Sequence, residues 1–137
     1  MKLEIKNTYF EKSPLSVSIH IENSTQEGHR SFTLSLTKDE SALNKLAACN
    51  GVLFDDDMKF LQHFFKELAT EDDRLLQFAP MEPSFILRGQ NQGDEIELLW
   101  IIDQGMAEAN YSTDTGVGLL MTISLETLSA ITKALTD

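Results

Sequence analysis

Cysteine is all but missing from this chain. Cys49 stands alone, so no disulfide can form within the chain, and the cystine frameworks of small secreted domains are excluded. That fits a reducing compartment; a secreted protein built without cystines fits equally. Proline and glycine are scarce, at 3 and 7 residues, which excludes collagen-like and low-complexity chains. No apolar run approaches the roughly 18 residues that a membrane-spanning helix needs. The opening Met1-Lys2-Leu3-Glu4-Ile5-Lys6 lacks the apolar centre of a signal peptide, so the cytoplasm is the expected compartment.

Positive charge is also in short supply. Lys and Arg total 11 against 22 Asp and Glu, giving a formal charge of -11 and a pI near 4.6. Such a field repels nucleic acid and anionic membranes and speeds association with basic surfaces. Acidity also serves plain solubility, so charge narrows the list of partners without choosing among them. What is present in quantity is hydrophobic side chain, 42% of 137 residues, enough to bury one continuous core.

The hydrophobic residues first recur with a period of two. Leu15, Val17, Ile19 and Ile21 alternate with Ser16, Ser18 and His20, and Phe32, Leu34 and Leu36 repeat the pattern. One-sided alternation predicts antiparallel strands with one wet face. The polar stretch from Asn23 to His29, with Gly28, predicts the turn of a hairpin, and Leu3 with Ile5 predicts a strand before it. Ser41 to Ala48 reads as a short helix or turn, ended by Asn50-Gly51. Asp55, Asp56 and Asp57 then precede Phe60, Leu61, Phe64, Phe65 and Leu68, whose spacing of three and four makes one face of a helix. The aspartates fall at its positive end, where they can cap free N–H groups.

Strands return in the second half. Ser84 to Arg88 is one, followed by a polar turn from Gly89 to Gly93. Ile96, Leu98, Trp100 and Ile102 line one face of the next, while Leu99 and Ile101 line the other. Apolar residues on both faces predict an interior strand covered on both sides, by a helix on one of them. Val117 to Ile123 is a further strand, and Ser124 is placed to cap a last helix carrying Leu128, Ile131 and Leu135. No linker, internal repeat or low-complexity tract stands out. The expectation is one domain spanning residues 1–137, of class α+β: mainly antiparallel sheet or sandwich, with one central amphipathic helix and a C-terminal helix.

Motifs for chemistry are few. His20, His29 and His63 are not spaced to share a metal. Cys49 has no partner thiol and reads as a small buried hydrophobe. No serine sits in a nucleophile elbow, and Gly116-Val117-Gly118 lacks the lysine of a phosphate-cradling loop. No catalytic residue, metal or cofactor is therefore expected. The carboxylates remain. Asp55, Asp56 and Asp57 are consecutive, so their side chains fan outward, and helix capping with solvation explains them first. Glu71, Asp72 and Asp73 lie at the other end of that helix, where negative charge does nothing for helix stability. Asp94, Glu95 and Glu97 flank the strand of Trp100. These nine residues are the expected partner-binding set, in which carboxylates stand in for phosphates and a neighbouring aromatic supplies contact area. Trp100 itself reads better as core.

The Phe-rich helix Met58-Lys59-Phe60-Leu61-Gln62-His63-Phe64-Phe65-Lys66-Glu67-Leu68, the strand Leu98-Leu99-Trp100-Ile101-Ile102-Asp103-Gln104, and the closing strand and helix from Val117 to Leu135 resemble the WapI-like immunity proteins of bacterial toxin–immunity systems, associated with cell-wall and contact-dependent toxins. The resemblance covers a little over half the chain. It implies a non-enzymatic inhibitor that binds a cognate toxin domain, often a nuclease, with no cofactor; the acidic charge adds that the partner is basic, with no direct nucleic-acid contact and no membrane. That family has no catalytic motif to carry over. Two other readings stand beside it: a structural or regulatory subunit that self-associates or binds another protein, and an enzyme assembling scattered carboxylates such as Asp103 and Asp114.

Overall fold

The computed structural model describes residues 1–38, 45–70, 72–102 and 116–136. Their order is β1 (Lys2–Lys6), β2 (Ser16–Ile21), β3 (His29–Thr37), β4 (Lys45–Phe54), α1 (Asp55–Leu68), β5 (Leu76–Phe78), β6 (Phe85–Asn91), β7 (Glu95–Ile102), β8 (Val117–Ser124) and α2 (Leu125–Thr136). The strands form two antiparallel meanders, β1-β2-β3-β4 and β5-β6-β7-β8. The class is α+β, with a central and a C-terminal helix.

On β2 and β3 sequence alternation and burial agree. Val17, Ile19 and Ile21 on β2 and Phe32, Leu34 and Leu36 on β3 are buried, with register partners Val17–Leu36, Ile19–Leu34 and Ile21–Phe32. Gly28 turns the chain between these strands with φ +78°, a conformation open to glycine. On the second sheet Leu87, Leu98, Trp100, Leu119 and Met121 all face inward. Buried residues of both sheets and both helices make one hydrophobic cluster. Phe32 of the first sheet meets Phe85 of the second edge to face at 5.5 Å between ring centres, in the range where aromatic pairs attract.

Two expectations are corrected. The stretch taken as helix or turn after Ser41 is, from Lys45, the strand β4, which runs through Asn50-Gly51 to Phe54; residues 41–44 lie outside the described set. Its inward positions Ala47, Cys49 and Gly51 are small, which hides the alternation. Pairing along β3 (Leu36–Ala47, Leu34–Cys49, Phe32–Gly51) decides the conformation. The turn expected at Gly89 to Gly93 begins later: Gly89 to Asn91 belong to β6. Gly89 is there for contact, since a Cβ on it would meet Leu68 and Phe64 side-chain atoms at 3.0 Å. Its missing side chain lets α1 lie on β6. The short β5 was not anticipated.

The fold also repeats, although the sequence shows no repeat. Four antiparallel strands and a helix occur twice in succession. Phe54 precedes α1 as its cap residue, and Ser124 caps α2 by accepting the Thr127 N–H at 3.1 Å. Counted from those caps, Met58, Leu61 and Phe65 of α1 occupy the same steps as Leu128, Ile131 and Leu135 of α2, and all six are buried. The halves are clasped at both ends. Gln62 on α1 donates to the Leu135 carbonyl on α2 at 2.6 Å. Beyond β1, the Thr8 N–H donates to the Thr122 carbonyl at 2.8 Å, and the Thr122 N–H donates back to Asn7 Oδ1 at 2.9 Å.

Candidate partner-binding surface

The nine expected carboxylates do not form one group. Asp57 faces inward, 4% exposed. One of its oxygens accepts the Phe54 N–H at 2.9 Å and the other accepts the Met81 N–H at 3.0 Å. Both oxygens are thus used by the backbone, and Asp57 is corrected from a contact residue to a structural one. Asp55 and Asp56 are exposed. Asp55 accepts the Ser24 hydroxyl at 3.1 Å and lies 3.9 Å from the Arg30 guanidinium; Asp56 lies 3.7 Å from Lys59. Being at the first turn of α1, both favour the helix dipole.

Five others gather at the far end of α1, around the β6–β7 turn. α1 is 14 residues long, which sets roughly 20 Å between its two ends. The gathering is built by two side-chain amides. Asn91, 4% exposed, donates to the carbonyls of Leu68 at 2.8 Å and Thr70 at 2.6 Å, closing the end of α1 onto the turn. Gln90 donates to the Asp73 carbonyl at 2.7 Å, and its register partner on β7 is Glu97. The segment carrying Asp72 and Asp73 is thereby held at the β6–β7 turn, which carries Asp94 and leads into Glu95 and Glu97 on β7. Glu71 lies outside the described residues, as do Asp103 and Asp114.

The two arginines nearby are engaged, while Lys66 in the last turn of α1 is exposed. Arg74 makes ion pairs with Asp72 at 2.6 Å and Glu67 at 3.1 Å, and Arg88 donates to Gln77 at 2.9 Å. Exposed pairs of this kind contribute little to stability, but they leave the group with a surplus of negative charge. His63 sits 3.4 Å from Glu67 on the exposed side of α1. His20 and His29 lie near single glutamates at the first sheet. No three His, Cys, Asp or Glu among the described residues are placed to hold one metal ion.

Trp100 does not serve as the aromatic neighbour of this surface. It is fully buried on the inner face of β7, 6.4 Å from the Phe85 ring, while Glu95 and Glu97 point to the outer face. What the outer face offers toward the β6–β7 turn is aliphatic; the cover expected on both sides of β7 holds at Ile101, which is buried, and lapses nearer the turn. Leu99 is half-buried, and Leu75 and Leu120 are 67% and 54% exposed. They border a depression of about 190 Å³ together with Arg88, Gln90 and Glu97. Larger openings lie between α1 and β5, about 460 Å³ with an exposed Phe60, and on the outer face of the first sheet, about 370 Å³ lined by His20, Thr33 and Asn50.

Cys49 on β4 packs against the core, and burial pushes its thiol up to about 11. A thiol held protonated at neutral pH is a poor nucleophile. No helix among the described residues is long and apolar enough to cross a membrane. No family model matches the chain, and no curated protein matches it.

Proposed function

We propose that the chain is an immunity-type inhibitor, a binding protein that neutralises a cognate bacterial toxin by docking a basic toxin domain, a nuclease in the first instance, on an acidic surface. The observation that carries this reading is the gathering of Asp72, Asp73, Asp94, Glu95 and Glu97 at one end of the molecule, on a chain whose formal charge is -11. Complementary charge of this kind steers association and suppresses wrong partners. The resemblance of the Phe-rich helix and the β7 and β8–α2 segments to WapI-like immunity proteins supplies the toxin as the partner. In this reading the protein works in the cytoplasm of the producing bacterium and needs neither cofactor nor turnover.

The test is co-expression with the C-terminal domain of a large toxin encoded immediately upstream. The chain should restore growth to cells expressing that domain, and the purified complex should weaken as salt rises. Growth arrest that persists at full expression of the chain, with no complex at low salt, removes the proposal.

A further inference from the structure

The repeated fold allows the outer faces of the two sheets to be compared position by position. Asn50 and Leu120 stand the same number of residues ahead of α1 and α2, and their cross-strand partners are Thr33 and Leu99. The first sheet therefore presents Thr33 beside Asn50 where the second presents Leu99 beside Leu120. Around the first pair stand Ser18, His20, Ser31 and Ser35, with Val52 the one aliphatic neighbour, a mainly polar face. The row through the second pair runs Gln77, Arg88, Leu99, Leu120, and the adjoining row runs Gln90, Glu97, Thr122. Ile86 and Ile101, one row further on, are buried, so the exposed part is the half nearest the β6–β7 turn. Leu120 and Leu75 lie beyond the buried pair of Ile86 and Ile101 and stay exposed, so with Leu99 they extend the apolar part of this face into solvent.

Resting on the reading that the partner is basic, we infer that this outer face of β7 and β8 is the docking surface, and that it takes a protein segment carrying an aliphatic or aromatic anchor flanked by lysine or arginine. The anchor enters the depression between Leu75, Leu99 and Leu120. The flanking cations reach Glu97 and Glu95 on the same face of β7 and Asp73 and Asp94 at its margin. Arg74 is paired with Asp72 and Glu67, and Arg88, which lines the depression, is hydrogen-bonded to Gln77 and keeps its charge; Glu95, Glu97, Asp73 and Asp94 outnumber it, so the rim favours a cationic partner. An apolar centre inside a charged rim is the arrangement in which a few central residues carry most of the binding energy.

The test is a titration of the isotope-labelled full chain, at low salt, with a short synthetic peptide in which two leucines are flanked by lysines and arginines. A control peptide carries serines in place of the leucines. Backbone amide shifts should centre on Leu75, Gln90, Glu97, Leu99 and Leu120, and the control should bind about tenfold more weakly, the loss expected of one buried anchor. Leu120→Asn and Leu99→Thr, which install the residues found at the equivalent places of the first sheet, should each weaken binding. Glu97→Gln, which leaves the leucines intact, should flatten the salt dependence. Shifts centred on Asp55 and Asp56 instead overturn this face while leaving a basic partner standing. Equal binding of the serine peptide overturns the anchor. A concentration-dependent dimer abolished by Leu120→Asn assigns the face to a second copy and overturns the partner's chemistry. No binding of either peptide overturns both this face and the basic partner.

Discussion

Asp57 and Met81 are joined across the connection between α1 and β6 by one hydrogen bond, from the Met81 N–H to Asp57 Oδ1 at 3.0 Å. The other carboxylate oxygen holds the Phe54 N–H, so one buried side chain fixes both the start of α1 and the segment leading into β6. Asp57→Ala removes both acceptors, and the loss should be roughly 2–3 kcal/mol, as for hydrogen bonds to a charged group. Asp56→Ala next door removes only an exposed pair with Lys59 and should change stability by less than about 0.5 kcal/mol. Urea unfolding followed by the fluorescence of Trp100, the chain's single tryptophan, measures both. Equal losses would contradict the assignment of Asp57.

Gly89→Ala places a methyl against Phe64 and Leu68. Overpacking of this kind should cost about 1–3 kcal/mol, with α1 displaced from β6. Gly93 has open space around it but φ +102°, so Gly93→Ala should cost about 1–2 kcal/mol through the backbone alone. Replacing Gly93 by Asn, which tolerates positive φ, should recover part of that loss, whereas Gly89→Asn should be worse than Gly89→Ala. The unfolding midpoints of the four variants decide.

Asn91→Ala strands the carbonyls of Leu68 and Thr70 and should cost about 1–3 kcal/mol. It should also speed amide exchange at the end of α1 and around Arg74 before the rest of the molecule is affected. Exchange that rises uniformly instead would mean that the amide does not hold the turn to the helix.

The raised thiol of Cys49 makes stability depend on alkaline pH. Burial favours the neutral form, so the unfolded chain loses this proton near pH 9.0 while the folded chain keeps it until about 11. The contribution is complete below pH 9.0 and is lost as pH rises through the folded value. The stability of the parent relative to Cys49→Ala should therefore be flat at neutral pH and fall between those two values. A flat difference up to pH 11 would show that the thiol is solvated. In the same samples an aromatic disulfide reagent should label Cys49 much more slowly than it labels the unfolded chain.

The sequence made the longer elements legible where one face alternates, as on β2, β3 and β8, or where apolar residues recur at helical spacing, as on α1 and α2. It concealed β4 because Ala47, Cys49 and Gly51 fill the inward positions with little bulk, and β5 because three residues are too few for any period. The site was legible only in part. Asp55, Asp56 and Asp57 look equivalent as a string, and what separates them is the Met81 N–H, contributed from far along the chain. Leu99 and Ile101 were rightly placed opposite Trp100, but alternation cannot say which apolar face is left open. The repeat escaped notice because the halves share positions and not residues. Equal cap-to-core spacing on α1 and α2 was the one signal that pointed to it.

The clasp of Asn7 and Thr8 onto Thr122 has a consequence for biosynthesis. As the chain leaves the ribosome, Thr122 emerges 114 residues after Thr8, so those hydrogen bonds wait for the second meander, and so does the contact of β1 with α2. The opening meander spends translation with one flank undressed. A release-stalled chain ending before β8 should be the form most readily cleaved near Asn7, and completion of the second meander should bring its protection.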